Sequence, residues 1–573
     1  MSFKRILLTS CFFSAGLLGL GAVSYAQSYE HEGGFVIERL QADYEDNGIF
    51  QALKSSKVER RKIEHIDALR TFYEARGFEP YWTNKASMNS NGREMLEFLE
   101  DAWSHGLNPH RYHLDTIRGL SQAKRDIYAM HALEVLLSDA YVAYGQDLTG
   151  IRVNPKEMKS HKRFWQTPYT PDALLELVQN DDDIDDVIKS FTPRGNTYNR
   201  LRKELVRLVQ EPPEDFETVL PIKMRGLLRP YEEHQVVHDL RVRFDLEPNE
   251  SSLVYDDELA AAIMNFQRDN GLEADGVIGP ATMRAINKSR RHRIHQLIAN
   301  LERLRWVAEE KPDKFVIVNV PSAMLWAVEG GRVDFQMPVV VGRKKRPTNI
   351  FITDITGVRL NPTWTVPPTI KKEDILPKLR HNSSYLDNKG MTLIHGSGAD
   401  ALTLDARAID WNTVSEGDLK RLRMVQKPGS HNPLGDVRVL MPNGYNIYLH
   451  DTNEKHYFKR QARAVSSGCI RMKYPMKMVD FIMREKPGWS DEDTQAVLDR
   501  GKIRDIYLPK DNTIPVYLVY YTAWIGDDND IIFGNDLYDY DDKLIKMLIN
   551  LDEIFIPVNN TGVYRENISQ SGY

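Results

Sequence analysis

In the stretch Ser466–Ser467–Gly468–Cys469–Ile470–Arg471, a thiol sits beside a glycine, two hydroxyls and a guanidinium. A cysteine acts as a nucleophile through its thiolate, and a nearby imidazole or guanidinium favours that form. His450 lies 19 residues upstream, within Asn446–Ile447–Tyr448–Leu449–His450–Asp451. That run alternates as a half-buried strand would, so Tyr448 and His450 share one face. If the chain returns beside this strand, His450 can take the Cys469 proton. Gly468 lets a carbonyl approach closely, and the Gly468 and Cys469 N–H groups are candidates to stabilise an oxyanion. Arg471 can orient a substrate carboxylate or brace its own loop, since its planar fork suits both. Tyr448 lines the site or packs as an aromatic. A free cysteine can equally be a small buried hydrophobe, and the residues alone leave that reading open.

The elements that must position these groups belong to a chain of 573 residues, 42% hydrophobic and 27% charged, with a formal charge of −6. That composition excludes a mainly disordered or collagen-like chain, and the acidic balance argues against a nucleic-acid partner. Lys4 and Arg5 precede an apolar run from Ile6 to Val23, and Ser24–Tyr25–Ala26 ends it with small residues in the cleavage positions. Residues 1–26 thus read as a secretory signal peptide, or as an uncleaved inner-membrane anchor given the length of the run. Leu8–Thr9–Ser10–Cys11 has the look of a lipoprotein box and ranks last, because few apolar residues precede it. Cleavage after Ala26 leaves Cys469 as the only cysteine, so no internal disulfide can form.

The rest divides into four blocks. Residues 27–226 are mostly helical in pattern, with aromatic-dense stretches at 69–82 and 103–112; the acidic run 181–186 reads as a solvated face or loop. Residues 227–289 form a compact helical module, with Leu259, Ala262, Ile263 and Phe266 on one helix face. Gly271, Asp275–Gly276 and Gly279–Pro280 punctuate it. Residues 290–510 change to strand patterns: Phe315–Val320, Val339–Val341 and a hairpin signal at Gly330–Gly331. Within them, about 370–427 is polar, rich in helix formers, and reads as a lid. Residues 511–573 form a C-terminal segment. The expected class is α+β: a helical scaffold and small helical module, then a β-rich domain with an inserted lid. His450 and His456 lack the Glu-containing zinc helix motif, His395–Gly396–Ser397–Gly398 reads as a loop, and Asp527, Asp528 and Asp530 lack a calcium-loop glycine. No metal site or cofactor is expected.

The module resembles the peptidoglycan-binding domain family through Phe266–Gln267, Gly271–Leu272, Asp275–Gly276–Val277–Ile278–Gly279–Pro280 and Thr282. His450 with Ser466–Ser467–Gly468–Cys469–Ile470–Arg471 resembles the catalytic signature of the L,D-transpeptidases. The likeness to their large periplasmic branch extends over Met337–Pro338 to Gly342, Asn361 to Pro368, Ile375–Leu376–Pro377, Asn432–Pro433–Leu434–Gly435, Tyr73 to Gly77, Trp103 to Tyr112 and Ile514 to Tyr517. Ser467 departs from the many members with His there, which leaves His450 as the only imidazole at the motif.

The resemblance implies a periplasmic enzyme of two-step acyl transfer. Cys469 attacks the diaminopimelate carbonyl of a tetrapeptide stem, D-alanine leaves, and another stem's diaminopimelate amine takes the thioester, giving a 3→3 crosslink. His450 would be the base, and Gly468 with Cys469 the oxyanion donors. Ser467, Arg471 and Tyr448 would face substrate, with Trp364 and Trp411 either covering the site from the lid or packing in its core. The implied partners are peptidoglycan stem peptides, with other wall-synthesis enzymes beside them. Two alternatives remain at this level: the same thioester passed to water or a protein, and a non-catalytic wall-binding protein.

Overall fold

A computed structural model describes residues 47–123, 125–181, 183–211, 221–247, 253–396, 398–552, 554–558 and 562–566. The expected export segment, 1–26, lies outside the described residues.

The scaffold is built around one helix, Ile127–Thr149, which starts where the Asp126 carboxylate accepts from the N–H groups of Tyr128 and Ala129. It is apolar nearly all round, and other helices cover it: Ile66–Ala75, Ser90–Asp101, Pro171–Asn180 and Ile184–Phe191. Its Glu134 is wholly buried and accepts from Tyr73 Oη at 2.6 Å, Tyr81 N at 2.6 Å, Trp82 N at 3.0 Å and Thr83 Oγ1 at 2.9 Å. Four donors around one carboxylate satisfy a charge that burial alone would expel. A short hairpin, β1 (Lys57–Val58) and β2 (Arg61–Lys62), sits at its margin. The acidic run serves a local purpose, since Asp183 caps the helix Ile184–Phe191.

In the small module, helices Asp257–Asp269 and Pro280–Ile286 pack around Leu259, Ile263 and Ile278. The expected apolar face is rotated slightly: Ala260 and Gln267 are buried, while Ala262 and Phe266 are half-buried. Gln267 is buried because it cross-links the following turn. Its amide donates to Asp275 and the Val277 carbonyl, and its oxygen accepts from Gly276 N.

After the helix Arg290–Arg305, the chain enters the main sheet. The strands are β3 (Lys314–Asn319), β4 (Met324–Glu329), β5 (Arg332–Gly342), β6 (Phe351–Ile355) and β7 (Gly357–Leu360). The lid follows with β8 (Trp364–Thr365), β9 (Met391–His395), β10 (Leu402–Leu404) and β11 (Leu422–Gln426). The sheet resumes with β12 (Val437–Leu440), β13 (Leu449–His450), β14 (Ala464–Ser466), β15 (Ile470–Met472), β16 (Arg504–Tyr507) and β17 (Ile514–Val519). Their order is β16-β7-β12-β13-β15-β5-β4-β3-β17-β6, with β14 pairing on β5 to complete an 11-stranded sheet. Gly330 and Gly331 both take positive φ at the β4–β5 turn.

The lid joins short helices, among them Leu376–His381 and Glu416–Arg421, to a sheet: β10-β9-β11-β8 form four strands with a core of their own, including Leu379, Leu393, Trp411 and Met424. Its strands are too short to show a clear period between helix-forming residues. A boundary at 510 cuts the main sheet, because β17 lies between β3 and β6 and pairs with both. The rest of the C-terminal segment is the pair β18 (Ala523–Ile525) and β19 (Ile531–Phe533), the helix Tyr540–Asp552, and the pair β20 (Ile554–Val558) and β21 (Gly562–Glu566).

Candidate active site

The short parallel pair β13–β15 sets the register of the site, with Leu449 opposite Ile470 and His450 opposite Arg471. Ile470 N donates to the Tyr448 carbonyl at 3.0 Å. Because side chains alternate along strands, Leu449 and Ile470 turn into the core while Tyr448, His450, Cys469 and Arg471 fall on the opposite face. Only Leu449–His450 of the expected longer strand is regular, since Asn446 takes a positive φ of 55° and turns the chain.

His450 is buried, and its Nδ1 is hydrogen-bonded to the Asp451 carbonyl. A carbonyl can only accept, so Nδ1 carries the proton and Nε2 keeps its lone pair. Burial, then the Arg471, Arg438 and Lys455 charges, pull the imidazole down to about 3, so it is neutral near pH 7. Asp451 is itself anchored: its carboxylate accepts from Asp436 N at 3.0 Å and Thr452 N at 2.7 Å. Gly435 passes against it where a Cβ would lie 2.2 Å from Oδ2, which explains the glycine in Asn432–Pro433–Leu434–Gly435.

Cys469 is half-buried, and its thiol lies 3.7 Å from the Asn446 carbonyl. Burial pushes the thiol up; Tyr448, through N–H and phenol hydrogen bonds, and the Arg438 and Arg471 charges act in the opposite direction. Tyr448 sits edge-on to His450 at 5.6 Å between ring centres, with the Arg438 guanidinium 4.0 Å from its own ring centre. Gly468 adopts φ of 116°, a conformation that strongly favours glycine.

The two N–H groups expected to act together stand differently. Gly468 N–H is engaged by Ser466 Oγ at 3.1 Å, while Ser466 Oγ donates to the Cys469 carbonyl at 2.6 Å. This cross-brace leaves the Cys469 N–H as the donor of the pair without a partner among the described residues.

The other expected residues divide. Arg471 holds Glu454 at 2.5 Å and lies over the Tyr457 ring, so it braces the turn that follows His450. Ser467 accepts from Arg346 at 3.0 Å, and Arg346 also grips Glu373 and Asp374 at the root of the lid. Trp364 is half-buried at the lid strand β8. Trp411 is sealed in the lid core, its indole N–H on the Ala406 carbonyl at 2.8 Å, and does not join the site.

Arg346, Arg438, Thr348 and Tyr538 escaped the sequence. Thr348 Oγ1 donates to the Gly468 carbonyl at 2.8 Å and accepts from Gly342 N at 2.9 Å. Tyr538 donates to the Gly342 carbonyl at 2.6 Å, tying the C-terminal segment to the nucleophile loop.

A thiol, a neutral imidazole of fixed tautomer and a spare backbone N–H are the groups that nucleophilic chemistry at a carbonyl uses. Comparison with known families agrees. Residues 313–497 match the model of the L,D-transpeptidase catalytic domain, 67–205 that of the scaffold domain, and 241–286 that of a "Putative peptidoglycan binding domain". Three domain models thus match along one chain in the order scaffold, peptidoglycan binding and L,D-transpeptidase catalytic. The chain is 32% identical over 259 residues to a Haemophilus influenzae protein named "Putative L,D-transpeptidase", covering 45% of this chain and 50% of that one. The chain thus spans half the length of that curated relative. Solved L,D-transpeptidases from Xylanimonas cellulosilytica and Stackebrandtia nassauensis share 13% and 14% identity. They cover 52% and 53% of this chain and 100% and 97% of their own, at TM-scores of 0.18 and 0.17.

Proposed function

We propose that the protein is a peptidoglycan L,D-transpeptidase that forms 3→3 crosslinks through a Cys469 thioester. The observation that carries this reading is the shared face of His450 and Cys469 within a domain that matches the L,D-transpeptidase catalytic model.

In the first step Cys469 Sγ attacks the diaminopimelate carbonyl of a tetrapeptide stem as its proton passes to His450 Nε2. The tetrahedral oxyanion takes the Cys469 N–H. Its collapse breaks the amide bond, and His450 returns the proton to the departing D-alanine amine. In the second step the side-chain amine of another stem's diaminopimelate attacks the thioester, and His450 removes its extra proton. The thiolate leaves and is reprotonated, so the net exchange is one amide for another. In this reading Tyr448 and Ser467 border the nucleophile on the substrate side, while Trp364 packs against the lid core. The same reading puts the protein in the periplasm, exported by residues 1–26, and cell fractionation checks that placement.

Intact-mass analysis with a purified disaccharide-tetrapeptide, run beside Cys469→Ala, tests the chemistry. A Cys469 adduct, released D-alanine and dimeric muropeptides are expected. Adduct and D-alanine without dimers would replace the transpeptidase with a hydrolase or a tethering enzyme. Absence of both would remove the thioester altogether.

A further inference from the structure

A row of side chains crosses five strands of the main sheet on the face that carries the thiol. In register across β16, β7, β12, β13 and β15 stand Asp505, Arg359, Arg438, His450 and Arg471. Residues directly opposed on neighbouring strands point to the same side. Three of the five are arginines, and two of those hold carboxylates. Arg359 donates to both oxygens of Asp505, at 2.5 and 2.6 Å, and Arg471 holds Glu454. Arg438 stands between them, beside His450. Asp505 feels the Arg438 charge, but both its oxygens are engaged by Arg359. Arg438 is half-buried, its Nε has no partner, and the side chain makes no hydrogen bond or ion pair among the described residues.

What Arg438 touches instead is an aromatic ring. Its guanidinium carbon lies 4.0 Å from the centre of the Tyr448 ring, well inside the ~6 Å reach of a cation–π contact. His450 meets that ring edge-on at 5.6 Å between centres. Tyr448 in turn hydrogen-bonds Cys469 through its N–H and its phenol. The ring is therefore held by two neighbours while its hydroxyl reaches the sulfur. A cation on the ring face polarises the phenol, and a polarised O–H is a stronger donor to an anion. The other charged groups around the thiol are accounted for: Arg471 on β15 holds Glu454, and in the turn after β13 Lys455 holds Asp451. His450 is neutral at ordinary pH, with burial the largest cause.

We propose that Arg438 is a positioning residue for the nucleophile: it holds Tyr448 by its ring, keeps the phenol on Cys469 Sγ, and through that phenol steadies the sulfur when it is negative. The inference rests on the reading of Cys469 as the nucleophile. In that reading the sulfur bears negative charge twice, first as its proton passes to His450 and again when the acceptor amine expels it from the thioester. Arg438 acts at both moments through the ring.

The test follows alkylation of Cys469 by iodoacetamide against pH in the full chain, which needs the thiolate and no wall substrate. Arg438→Met keeps the length of the side chain and removes its charge. Its alkylation curve should move up by about one pH unit, roughly a tenfold slower rate at pH 7. Arg438→Lys should restore most of the rate, since an ammonium keeps the charge without the planar fork. In a Tyr448→Phe background the same Arg438→Met step should shrink, because the hydroxyl that relays the charge is gone. Thermal melts check folding, and Arg438→Gln replaces Arg438→Met if that variant does not fold. A curve unmoved by loss of the charge overturns the proposal. So does an equal shift in Arg438→Lys, or an equal shift with and without the Tyr448 hydroxyl. Acylation by a disaccharide-tetrapeptide is measured separately. Slower acylation of Arg438→Met with an unmoved alkylation curve would put Arg438 on the substrate and likewise overturn the proposal. Failure of the parent chain to acylate would defeat the proposed function and leave the alkylation result standing.

Discussion

Arg346 Nη1 donates to Ser467 Oγ at 3.0 Å while its guanidinium grips Asp374 and Glu373, so one side chain joins the nucleophile loop to the root of the lid. The guanidinium is only 9% exposed, which makes this pairing stronger than an ordinary surface bridge. Arg346→Ala should free the lid and lower stem acylation of Cys469 by roughly tenfold to a hundredfold, the scale of a misplaced positioning group. Alkylation of the thiol by iodoacetamide should rise in the same variant. Stopped-flow acylation and alkylation rates check this, and two unchanged rates would remove the latch.

The pH profile follows from the two perturbed groups. His450 lies near 3, so its base form persists at all higher pH, and Cys469 is raised, so the thiol stays protonated at neutral pH. Acylation by a stem uses this neutral pair and should be flat from about pH 5 to 8, without the inflection near 6.5 of an ordinary histidine. Alkylation by iodoacetamide needs the thiolate and should keep climbing beyond the usual thiol value of about 8.5. A histidine-like inflection in the acylation profile would show that His450 is charged at neutral pH.

Thr348 is a small buried residue with a large predicted effect. Its hydroxyl bridges Gly342 N and the Gly468 carbonyl, and the isosteric Thr348→Val strands both partners. The cost should be about 1–3 kcal/mol of stability. A fall in single-turnover acylation should accompany it, because Gly468 sets the approach to the thiol. Tyr538→Phe removes the next bond in the chain, to the Gly342 carbonyl, and should lower the same rate by less. Thermal melts and acylation rates of both variants decide whether loop geometry is held from this side.

In the scaffold, Glu134→Ala removes the acceptor for Tyr73, Tyr81, Trp82 and Thr83 and opens a void in the core. Losing a buried hub of this kind should cost about 3 kcal/mol or more. Urea unfolding followed by a scaffold tryptophan measures it, and a loss under about 1 kcal/mol would show that the donors find water instead.

The sequence carried the face and not its supports. Strand alternation alone puts Tyr448 and His450 on one face, and the paired strand β15 brings Cys469 to the same side. Gly330–Gly331 marked its hairpin because only positive φ closes that turn without strain. Arg346 and Thr348 reach the nucleophile loop across separations of 121 and 120 residues, and Tyr538 reaches Gly342 across 196. No local period encodes contacts at that distance. The engagement of Gly468 N–H was not legible either: a serine hydroxyl two residues earlier takes it. The lid strands went unseen for a different reason: their residues alternate weakly, and the lid has a separate small core. Trp411 belongs to that core, where its indole has a carbonyl partner, and so it has no side chain to offer a ligand.

Since β17 completes the sheet between β3 and β6 and Tyr538 locks Gly342 beyond it, the nucleophile emerges during synthesis before the residues that set it. A ribosome has released Cys469 well before it adds the strand and the tyrosine, so no nascent chain holds an assembled thiol. The surroundings of the thiol are complete only after the last strand and the tyrosine beyond it have closed on the sheet, so the order of synthesis delays their assembly to the end.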